Sequence, residues 1–422
     1  MPYLSPKTPD DRAGIDHPTR ILVVSTHPIQ YAAPIFRLLA ANPKVELLVA
    51  YCSMEGAERY IDRDFGTEVK WDVPLLDGYS WIALKNRSPF RGHAWFFRFV
   101  NPQVWRLIRS GKFDAVVLYT GYLCATFWIA ILAAKRSHAA VLFGTDAHDL
   151  SPRDGMKWKI WAKKMFWPRL FRCADMVIVP SSGGVALMTS LGISATRIAL
   201  TPYAVNNDWW TEQSRKVDRA KVRRRWGIPE DSVTVLFSAK LQPWKRPLDV
   251  LRAFARLSIS NMHLVFAGDG SLRPILESET ERLGVTSRVR FLGFVNQSGL
   301  PETYTACDVL VLPSEYEPFG VVVNEAMLCG CCAVVSDRVG ARFDLVREGE
   351  TGFVFRARDV NDLARVLGEV SADPENLKRL KRAARDRVRD WSPSANVKGL
   401  LEAVRRVTPR PGIRETNQKA EQ

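Results

Sequence analysis

The sequence predicts an α/β fold in which two doubly wound parallel sheets follow one another along the chain. Short apolar runs recur, and most are followed by a polar loop and then a segment with helical periodicity. This pattern breaks near residues 206–216, where a polar segment follows a turn that contains proline, and then it repeats. A chain of 422 residues, 46% of them hydrophobic, is also long enough to bury two cores.

In the first half, order is expected to begin near Arg20. The segment ILVVSTHPIQYAAPIFRLLA (21–40) opens with an apolar strand, continues through a loop and ends in a helix, as the first unit of such a sheet does. Five further apolar runs predict strands in this half: VELLVAYCS (45–53), FDAVVLYTGY (113–122), AAVLFGTDAHD (139–149), DMVIVPSS (175–182) and RIALTPYAV (197–205).

The second half repeats the pattern with five more runs, and a helix over 396–407 follows a Trp-Ser-Pro sequence. The predicted strands are TVLFSAK (234–240), HLVFAGDG (263–270), VRFLGF (289–294), DVLVLPS (308–314) and AVVSD (333–337). The expected organisation is a disordered segment 1–19, a first domain 20–206, a second domain 207–391, a terminal helix 392–408 and a disordered tail 409–422.

Charge and composition narrow the class of protein. The net charge is +15, which predicts an anionic partner: nucleotide phosphates, an anionic lipid surface, an acidic glycan or nucleic acid. No nucleic-acid motif is present, so nucleic acid is not expected. The chain has no 18-residue apolar run and no signal-peptide pattern, and its cysteines lack the paired clusters of a zinc site. A reduced, cytoplasmic protein is expected.

Two carboxylates stand eight residues apart in VLPSEYEPFGVVVNEA (311–326). The preceding apolar run predicts a buried strand, and the residues after Gly320 predict a helix. Such a strand–turn–helix arrangement binds anions, because unpaired N–H groups and the helix dipole point at the ligand. Glu325 is expected more than one turn inside the helix, too far from Glu317 for a close acid pair. The two are therefore predicted to hold separate hydroxyl-bearing ends of a ligand with phosphates between them, which describes a nucleotide-sugar.

This segment resembles the E-x7-E signature of family 4 of the retaining nucleotide-sugar glycosyltransferases, which have the GT-B fold. The resemblance implies that Glu317 contacts the transferred sugar and that Glu325 binds the ribose. It also implies that the backbone after the glycine takes the distal phosphate. Four more donor-binding residues follow from it: Pro318, Phe319, Gly320 and Val321.

Two further segments carry the same resemblance, which spans roughly residues 21–391. SAKLQPWKRP (238–247) is similar to the family's G-R-L-x-x-x-K segment, with Lys245 at its lysine and Lys240 where arginine is more usual. VFAGDG (265–270) is similar to the family's strand that ends in a glycine-rich turn beside the nucleotide. This adds four residues to the predicted donor side: Gly268, Gly270, Phe294 and Val295.

The resemblance implies two Rossmann-like domains facing a central cleft, with the terminal helix crossing back to the first. It implies retention of anomeric configuration, no metal and no cofactor beyond the nucleoside-diphosphate sugar. As the anomeric bond breaks, negative charge develops on the leaving diphosphate, so fixed cations stabilise the transition state. Lys240 and Lys245 are the candidates for this role. The departing phosphate itself is expected to accept the acceptor's proton.

The first domain offers candidates for the sugar and the acceptor. Family members carry a histidine at the end of one strand that contacts the donor sugar, and GTDAHDL (144–150) supplies Asp146 and His148 there. Either could contact donor sugar or acceptor, and one could act as a general base. The first loop, THPIQYAAP, lacks the glycine that many relatives have there. It does place three polar or aromatic residues, His27, Gln30 and Tyr31, at the end of a strand, where α/β sheets bind ligands. The alternative is a capped turn that only packs.

Two other patterns have competing interpretations. Asp62 and Asp64 form a D-x-D, a motif that holds a metal in another glycosyltransferase fold. No hydrophobic strand precedes it here, so a solvated loop is favoured.

Residues 156–172 carry six basic residues, three tryptophans and no acidic residue, and a similar mixture of basic and aromatic residues recurs over 89–109. A helix lying on an anionic membrane would fit. A helix packed in the first domain with a basic outer face is the favoured interpretation.

Together these patterns predict a retaining, metal-independent enzyme that moves a hexose-type sugar to a glycan, lipid-linked or small-molecule acceptor in envelope or exopolysaccharide synthesis. Attachment to the inner face of the cytoplasmic membrane is left open. Two rivals are a sugar-nucleotide epimerase of the same fold and a catalytically silent sugar-nucleotide-binding or membrane scaffold protein. Glu317, Glu325 and Lys245 argue against the silent protein, because a decayed site would tend to lose one of them.

Overall fold

The computed structural model describes residues 17–58, 60–62, 67–69, 71–88, 96–152, 154–257 and 259–408. The segments predicted to be disordered, apart from residues 17–19, lie outside these ranges, and so does Asp64 of the D-x-D. Two parallel sheets of seven and six strands form the centres of two domains, as the sequence predicts. No helix in the described part of the chain is long and apolar enough to cross a membrane.

The first domain is built on a sheet with strand order β5-β2-β1-β6-β7-β8-β9. Its strands are β1 Thr19–Ser25, β2 Val45–Tyr51, β5 Trp81–Ala83, β6 Ala115–Tyr119, β7 Ala140–Gly144, β8 Met176–Val179 and β9 Ile198–Leu200, and a separate antiparallel hairpin is formed by β3 Tyr60–Asp62 and β4 Thr67–Val69. Its helices are α1 Ala33–Ala40, α2 Gln103–Gly111, α3 Ala125–Arg136, α4 Lys157–Phe171 and α5 Ser182–Ser190.

The second domain has the strand order β12-β11-β10-β13-β14-β15. Its strands are β10 Val233–Ser238, β11 Met262–Ala267, β12 Val289–Gly293, β13 Val309–Leu312, β14 Cys332–Ser336 and β15 Gly352–Phe355. Its helices are α6 Asn207–Arg215, α7 Arg219–Trp226, α8 Pro247–Ala255, α9 Arg273–Arg282, α10 Leu300–Ala306, α11 Val322–Leu328, α12 Val360–Ala372 and α13 Pro374–Arg389, followed by the terminal helix α14 Pro393–Val407.

Central strands of both sheets are fully buried, because helices cover both faces of a parallel sheet. This is why these strands appear in the sequence as continuous apolar runs. Cys329, Cys331 and Cys332 are free thiols buried in the core of the second domain, as small apolar side chains would be.

Helix α14 packs against α1 and β9 of the first domain, while α6 packs against α10 and α11 of the second. The chain therefore passes from one domain to the other twice. Ser392 caps α14 by accepting a hydrogen bond from the N–H of Ala395, so the helix begins at Pro393, three residues before the predicted start.

Several predicted details are wrong. The edge strands β5 and β15 were not predicted; both are short, and β5 is exposed along its whole length. Glu325 lies in the first turn of α11, not more than a turn inside it. Helix α4 packs in the first domain through Trp167, Leu170 and Phe171, as favoured, but its outer face is not simply basic, because Trp158 and Trp161 are exposed there.

Candidate active site

In each sheet the order in which strands are added reverses at one point, called the switch point. Ligands of open α/β sheets bind there, outside the carboxyl ends of the strands. In the second domain this switch point lies between β10 and β13, which pair directly in the sheet although they are far apart in sequence. The loop after β10 carries Lys240 and Lys245, and the loop after β13 carries Glu317. Topology therefore brings the two predicted donor motifs together.

Lys245 and Glu317 form an ion pair across this switch point. Their side chains are only 19% and 15% exposed, so water screens the pair less than it screens a surface pair. The backbones of the two loops are also joined, because the N–H of Glu315 donates to the carbonyl of Trp244 at 2.9 Å. Ser314 Oγ lies 3.5 Å from Glu317 Oε2. Lys240 is half-buried two residues after the end of β10.

The loop that carries Glu317 is held by the segment after β14. The carbonyl of Glu317 accepts from the N–H of Gly340 at 3.0 Å, and the carbonyl of Phe319 accepts from Ala341 at 2.8 Å. Residue 340 must be glycine, since a Cβ there would lie 1.9 Å from the carbonyl oxygen of Pro318. Gly320 then turns the chain into α11 with φ of +94°, a conformation that favours glycine.

Glu325 is nearly fully buried and has hydrogen-bond partners of its own. Tyr304 donates its hydroxyl to Glu325 Oε2 at 2.9 Å. Burial raises the pKa of Glu325 to about 7, while hydrogen bonds from Tyr304 and Gln297 act in the opposite direction. The carboxyl group therefore changes charge near neutral pH, which a solvated glutamate does not do.

The glycine turn after β11 is attached to the loop after β10. The N–H of Leu241 donates to the carbonyl of Asp269 at 2.9 Å. Gly268 and Gly270 permit this approach, because a Cβ on either would lie 2.0 Å and 2.7 Å from the carbonyl oxygens of Ala239 and Leu241. Phe294 and Val295 follow β12, the next strand in the sheet, and are half-buried. All predicted donor segments thus meet at one edge of the second sheet.

The predicted first-domain pair separates into two environments. His148 Nδ1 lies 3.1 Å from the carbonyl oxygen of Pro318, and its ring packs on Phe343, so its position is fixed by the second domain. Asp146 instead lines a cavity of about 400 Å³ in the first domain. Surrounding protein removes its carboxyl group from bulk water and raises its pKa, and the charge of Glu317 adds to the effect.

This cavity lies at the switch point of the first sheet, between β1 and β6. Its lining comes from the ends of β1, β6, β7 and β8, from the loops after these strands and after β9, and from α1 and α14. Its aromatic members are Tyr31, Phe36, Tyr119, Tyr122 and Tyr203. Asp146 is the ionisable carboxylate of the lining, and no lysine or arginine among the described residues lines it. Of the three predicted residues of the first loop, Tyr31 lines the cavity, while His27 and Gln30 are not among its described lining residues.

A row of aromatic rings connects this cavity to the donor loop. The centroids of Tyr31 and Tyr203 lie 5.6 Å apart, and those of Tyr203 and Phe319 lie 5.4 Å apart. Burial raises the pKa of Tyr31 to about 12, so its hydroxyl stays protonated. A ligand bound by Glu317 and one bound beside Asp146 would face each other across these rings.

Further contacts hold the two domains together at the cleft. The carboxylate of Asp344 accepts from the N–H of Ser182 at 3.0 Å at the start of α5, and Arg338 pairs with Asp149 at 3.6 Å. Ser298 donates to Asp72 from the other side, with its N–H at 3.1 Å. No cluster of three or more His, Cys, Asp or Glu side chains suited to a metal ion occurs in the described ranges.

Sequence reasoning missed three residues of this site: Tyr304, Tyr203 and Asp344. Tyr304 lies on α10, and no local pattern relates it to Glu325, 21 residues later. Tyr203 lies inside the predicted strand 197–205, and its place three residues after the observed end of β9 at Leu200 shows that it belongs to the strand-end loop.

Both halves of the chain match glycosyltransferase families. Residues 30–204 match the family described as glycosyl transferase 4-like domain, and residues 218–387 match glycosyl transferases group 1. The chain belongs to the group 1 glycosyltransferases. This confirms the family predicted from the E-x7-E segment and the two motifs before it.

Among curated relatives, the D-inositol 3-phosphate glycosyltransferase of Streptomyces scabiei is 30% identical over 302 residues, which cover 67% of this chain and 65% of that protein. The protein of the same name from Streptomyces bingchenggensis is 37% identical over 296 residues, 65% of this chain and 63% of that protein. The chain therefore spans less than two thirds of the length of these relatives.

Solved structures show the same GT-B fold. Anabaena HepE in complex with UDP and glucose superimposes with a TM-score of 0.68 at 19% identity, covering 92% of this chain and 99% of that one. Sucrose-phosphate synthase from Thermosynechococcus elongatus gives a TM-score of 0.65 at 20% identity, with 92% and 99% covered. At identities of 19% and 20%, the likeness to these structures establishes the fold of this group 1 glycosyltransferase and nothing more.

Proposed function

We propose that this protein is a retaining, metal-independent glycosyltransferase that moves a hexose-type sugar from a nucleoside diphosphate to a glycan, lipid-linked or small-molecule hydroxyl acceptor in envelope or exopolysaccharide synthesis. The observation that carries the proposal is the Lys245–Glu317 pair at the switch point of the second sheet, with buried Glu325 beside it. Cytoplasmic localisation is part of the proposal.

Glu325 is proposed to bind the ribose. A carboxylate accepts hydrogen bonds from two neighbouring hydroxyl groups, and those bonds favour its charged form. Because the pKa of Glu325 is about 7 in the free protein, donor binding would lower this pKa and release part of a proton at neutral pH. A UDP-sugar is the first donor to test, since HepE was crystallised with UDP and glucose.

Lys245 and Lys240 are proposed to stabilise the departing diphosphate. A cation held in a partly buried ion pair is already in place before charge develops, so little reorganisation is needed. In this scheme the lysines supply the positive charge, and no metal ion is required. Glu317 orients Lys245 and contacts the transferred sugar. The departing phosphate oxygen takes the proton from the attacking hydroxyl, on the face from which it leaves, so anomeric configuration is retained.

The acceptor is proposed to bind in the first-domain cavity. Aromatic rings pack on the apolar faces of sugars, and the Asp146 carboxylate can accept a hydrogen bond from an acceptor hydroxyl. No described cation lines the cavity, which favours a hydroxyl-rich acceptor without a phosphate at that position. This would separate the chain from relatives named for D-inositol 3-phosphate.

A transfer assay tests the proposal. Purified protein is incubated with labelled UDP-, GDP- and ADP-hexoses, with EDTA present, and with either neutral oligosaccharides or a bacterial lipid extract as acceptor. A labelled product whose new bond keeps the donor's anomeric configuration is expected. Binding of a donor without any transfer or hydrolysis would favour a silent binding protein, and an altered donor sugar without transfer would favour an epimerase. Loss of transfer in EDTA would contradict metal independence.

A further inference from the structure

The most exposed apolar side chains of α4 are its two outward tryptophans. Trp158 and Trp161 are 63% and 68% exposed, and Met165 and Phe166 on the same helix and Met156 directly before it are also exposed. Large indole rings are seldom this accessible on a protein surface unless another surface covers them. The five residues define what we call the α4 aromatic surface.

Helix geometry explains how the α4 aromatic surface is presented. Trp158, Trp161 and Met165 are spaced by three and four residues, so they share one face. The opposite face carries Trp167, Leu170 and Phe171, which pack in the first-domain core. One side of the helix is therefore anchored, and the apolar side opposite it points to solvent.

Cations flank this outward face. Residues 156–172 contain six basic residues and no acidic one, and exposed Lys157 and Lys164 lie on one flank, while Lys159 on the other flank is paired with Asp154. This charge distribution disfavours a second copy of the same surface, because two such faces would bring like charges together. It favours an anionic partner with an apolar interior.

The α4 aromatic surface adjoins the acceptor cavity. The rings of Phe166 and Tyr122 are 5.6 Å apart, and Tyr122 is a wall of the cavity. Exposed Leu123 follows Tyr122, and exposed Phe96 lies beside that turn, with its carbonyl accepting from Ala125 at 2.9 Å. The apolar surface thus continues from α4 to the loop that borders the cavity.

We propose that the α4 aromatic surface docks on an anionic lipid bilayer, with its indole rings at the headgroup boundary and the flanking lysines on lipid phosphates. This proposal rests on the proposed function. It narrows the acceptor of the enzyme to a lipid-linked molecule that enters the cavity past Tyr122. Docking would hold the cavity at the surface where such an acceptor resides.

Vesicle sedimentation tests the proposal. Full-length protein is mixed with phosphatidylcholine vesicles with or without phosphatidylglycerol. The protein is expected to bind the anionic vesicles. High salt should weaken this binding, since it screens exposed charges. Changing Trp158 and Trp161 together to Ser, or Lys157 and Lys164 together to Gln, should weaken that binding about tenfold or more.

Matched controls use the second domain. Ile275→Ser replaces an apolar side chain that is 52% exposed. Lys221→Gln together with Lys378→Gln removes two exposed lysines, the same loss of charge as in the α4 lysine variant. These variants should sediment like the wild type, and every variant should retain its melting temperature and its thermal shift with nucleoside diphosphate. Equal binding by control and α4 variants, no vesicle binding, or a change of oligomeric state in the tryptophan variant would each overturn the proposal. The nucleotide shift reports the donor site separately, so failure of docking is distinguishable from failure of the proposed function.

Discussion

The two sheets face one cleft with edges of opposite chemistry. The second domain presents charged groups tied to one another, with Lys245 on Glu317 and Tyr304 on Glu325. The first domain presents a cavity lined mainly by aromatic and apolar side chains, with a carboxylate, Asp146. Both edges lie at a switch point, so the difference comes from side chains and not from topology. We therefore propose that the same strand-end geometry serves an anionic donor on one side of the cleft and a hydroxyl-bearing acceptor on the other.

The largest effect is expected at Glu317. Glu317→Ala removes the partner of Lys245 and the proposed contact to the transferred sugar, so turnover should fall about 10²–10³-fold. Nucleotide affinity should change far less, because Glu325, the proposed ribose ligand, is unchanged. Turnover by a transfer assay and affinity by titration calorimetry measure the two. Lys245→Ala, by contrast, should harm both.

Glu315→Ala is the matched control for that change. Glu315 lies two residues away and also forms an ion pair, with Arg358. Its turnover should stay within a few-fold of wild type. Equal losses in the Glu315 and Glu317 variants, or unchanged turnover in Glu317→Ala, would show that the site is assigned wrongly.

Gly340→Ala should act on the donor edge through packing. A Cβ there meets the carbonyl oxygen of Pro318 at 1.9 Å, so the loop must shift, at a cost of about 1–3 kcal/mol in the free energy of unfolding. Gly368→Ala in α12 is the control: its Cβ would meet only ordinary contacts, and about 0.5–1 kcal/mol of stabilisation is expected. Urea unfolding measures both, and a Gly340 variant as stable as wild type would refute the close approach.

Asp146→Asn probes the acceptor edge. Loss of a charged hydrogen-bond acceptor should lower kcat/KM for the acceptor about 10–100-fold, while donor affinity stays unchanged. Steady-state kinetics with each substrate varied in turn separate the two. If donor affinity falls as far as acceptor kcat/KM, Asp146 belongs to the donor side and the contrast between the edges is lost.

A smaller effect is expected from Tyr304→Phe. Its hydroxyl lowers the pKa of Glu325, so removing it should raise that pKa above about 7. Nucleotide affinity requires the charged carboxylate, hence it should fall as pH drops through the pKa of the free protein, and the variant should show this fall at higher pH. At pH 7 a loss of about 2–10-fold is expected.

Titration calorimetry between pH 6 and 8 checks this prediction. Glu325→Gln cannot titrate, so whatever pH dependence it keeps reports the nucleotide's own phosphate. Wild-type affinity that follows pH no more steeply than Glu325→Gln would contradict the role given to Glu325.

Much of the fold follows from sequence, because strands buried on both faces leave apolar runs such as those of β10 and β13. The three-residue edge strand β5 is exposed and leaves no such run. The donor residues could be predicted since each sits in a local motif, but the pairing of Lys245 with Glu317 spans 72 positions and depends on strand order.

The acceptor cavity could not be predicted in the same way. Six separate parts of the chain contribute its wall, and Tyr203 and Asn396 come from the loop after the edge strand β9 and from the returning helix α14. The face of α4 that packs could not be predicted for a related reason. Both of its faces are rich in aromatic residues, so spacing alone could not decide which one packs.

The central claim is that the edge around Glu317 and Glu325 binds a nucleotide-sugar. Melting temperatures of wild type and Glu325→Ala, each with UDP, GDP, ADP and CMP and their sugar conjugates, test it most directly. A ligand that binds only the folded state raises the melting temperature by mass action. We expect one nucleoside diphosphate and its sugar conjugates to raise the wild-type value, and the variant to lose that shift relative to its own ligand-free value. No shift with any ligand, or an equal shift in the variant, would contradict the account.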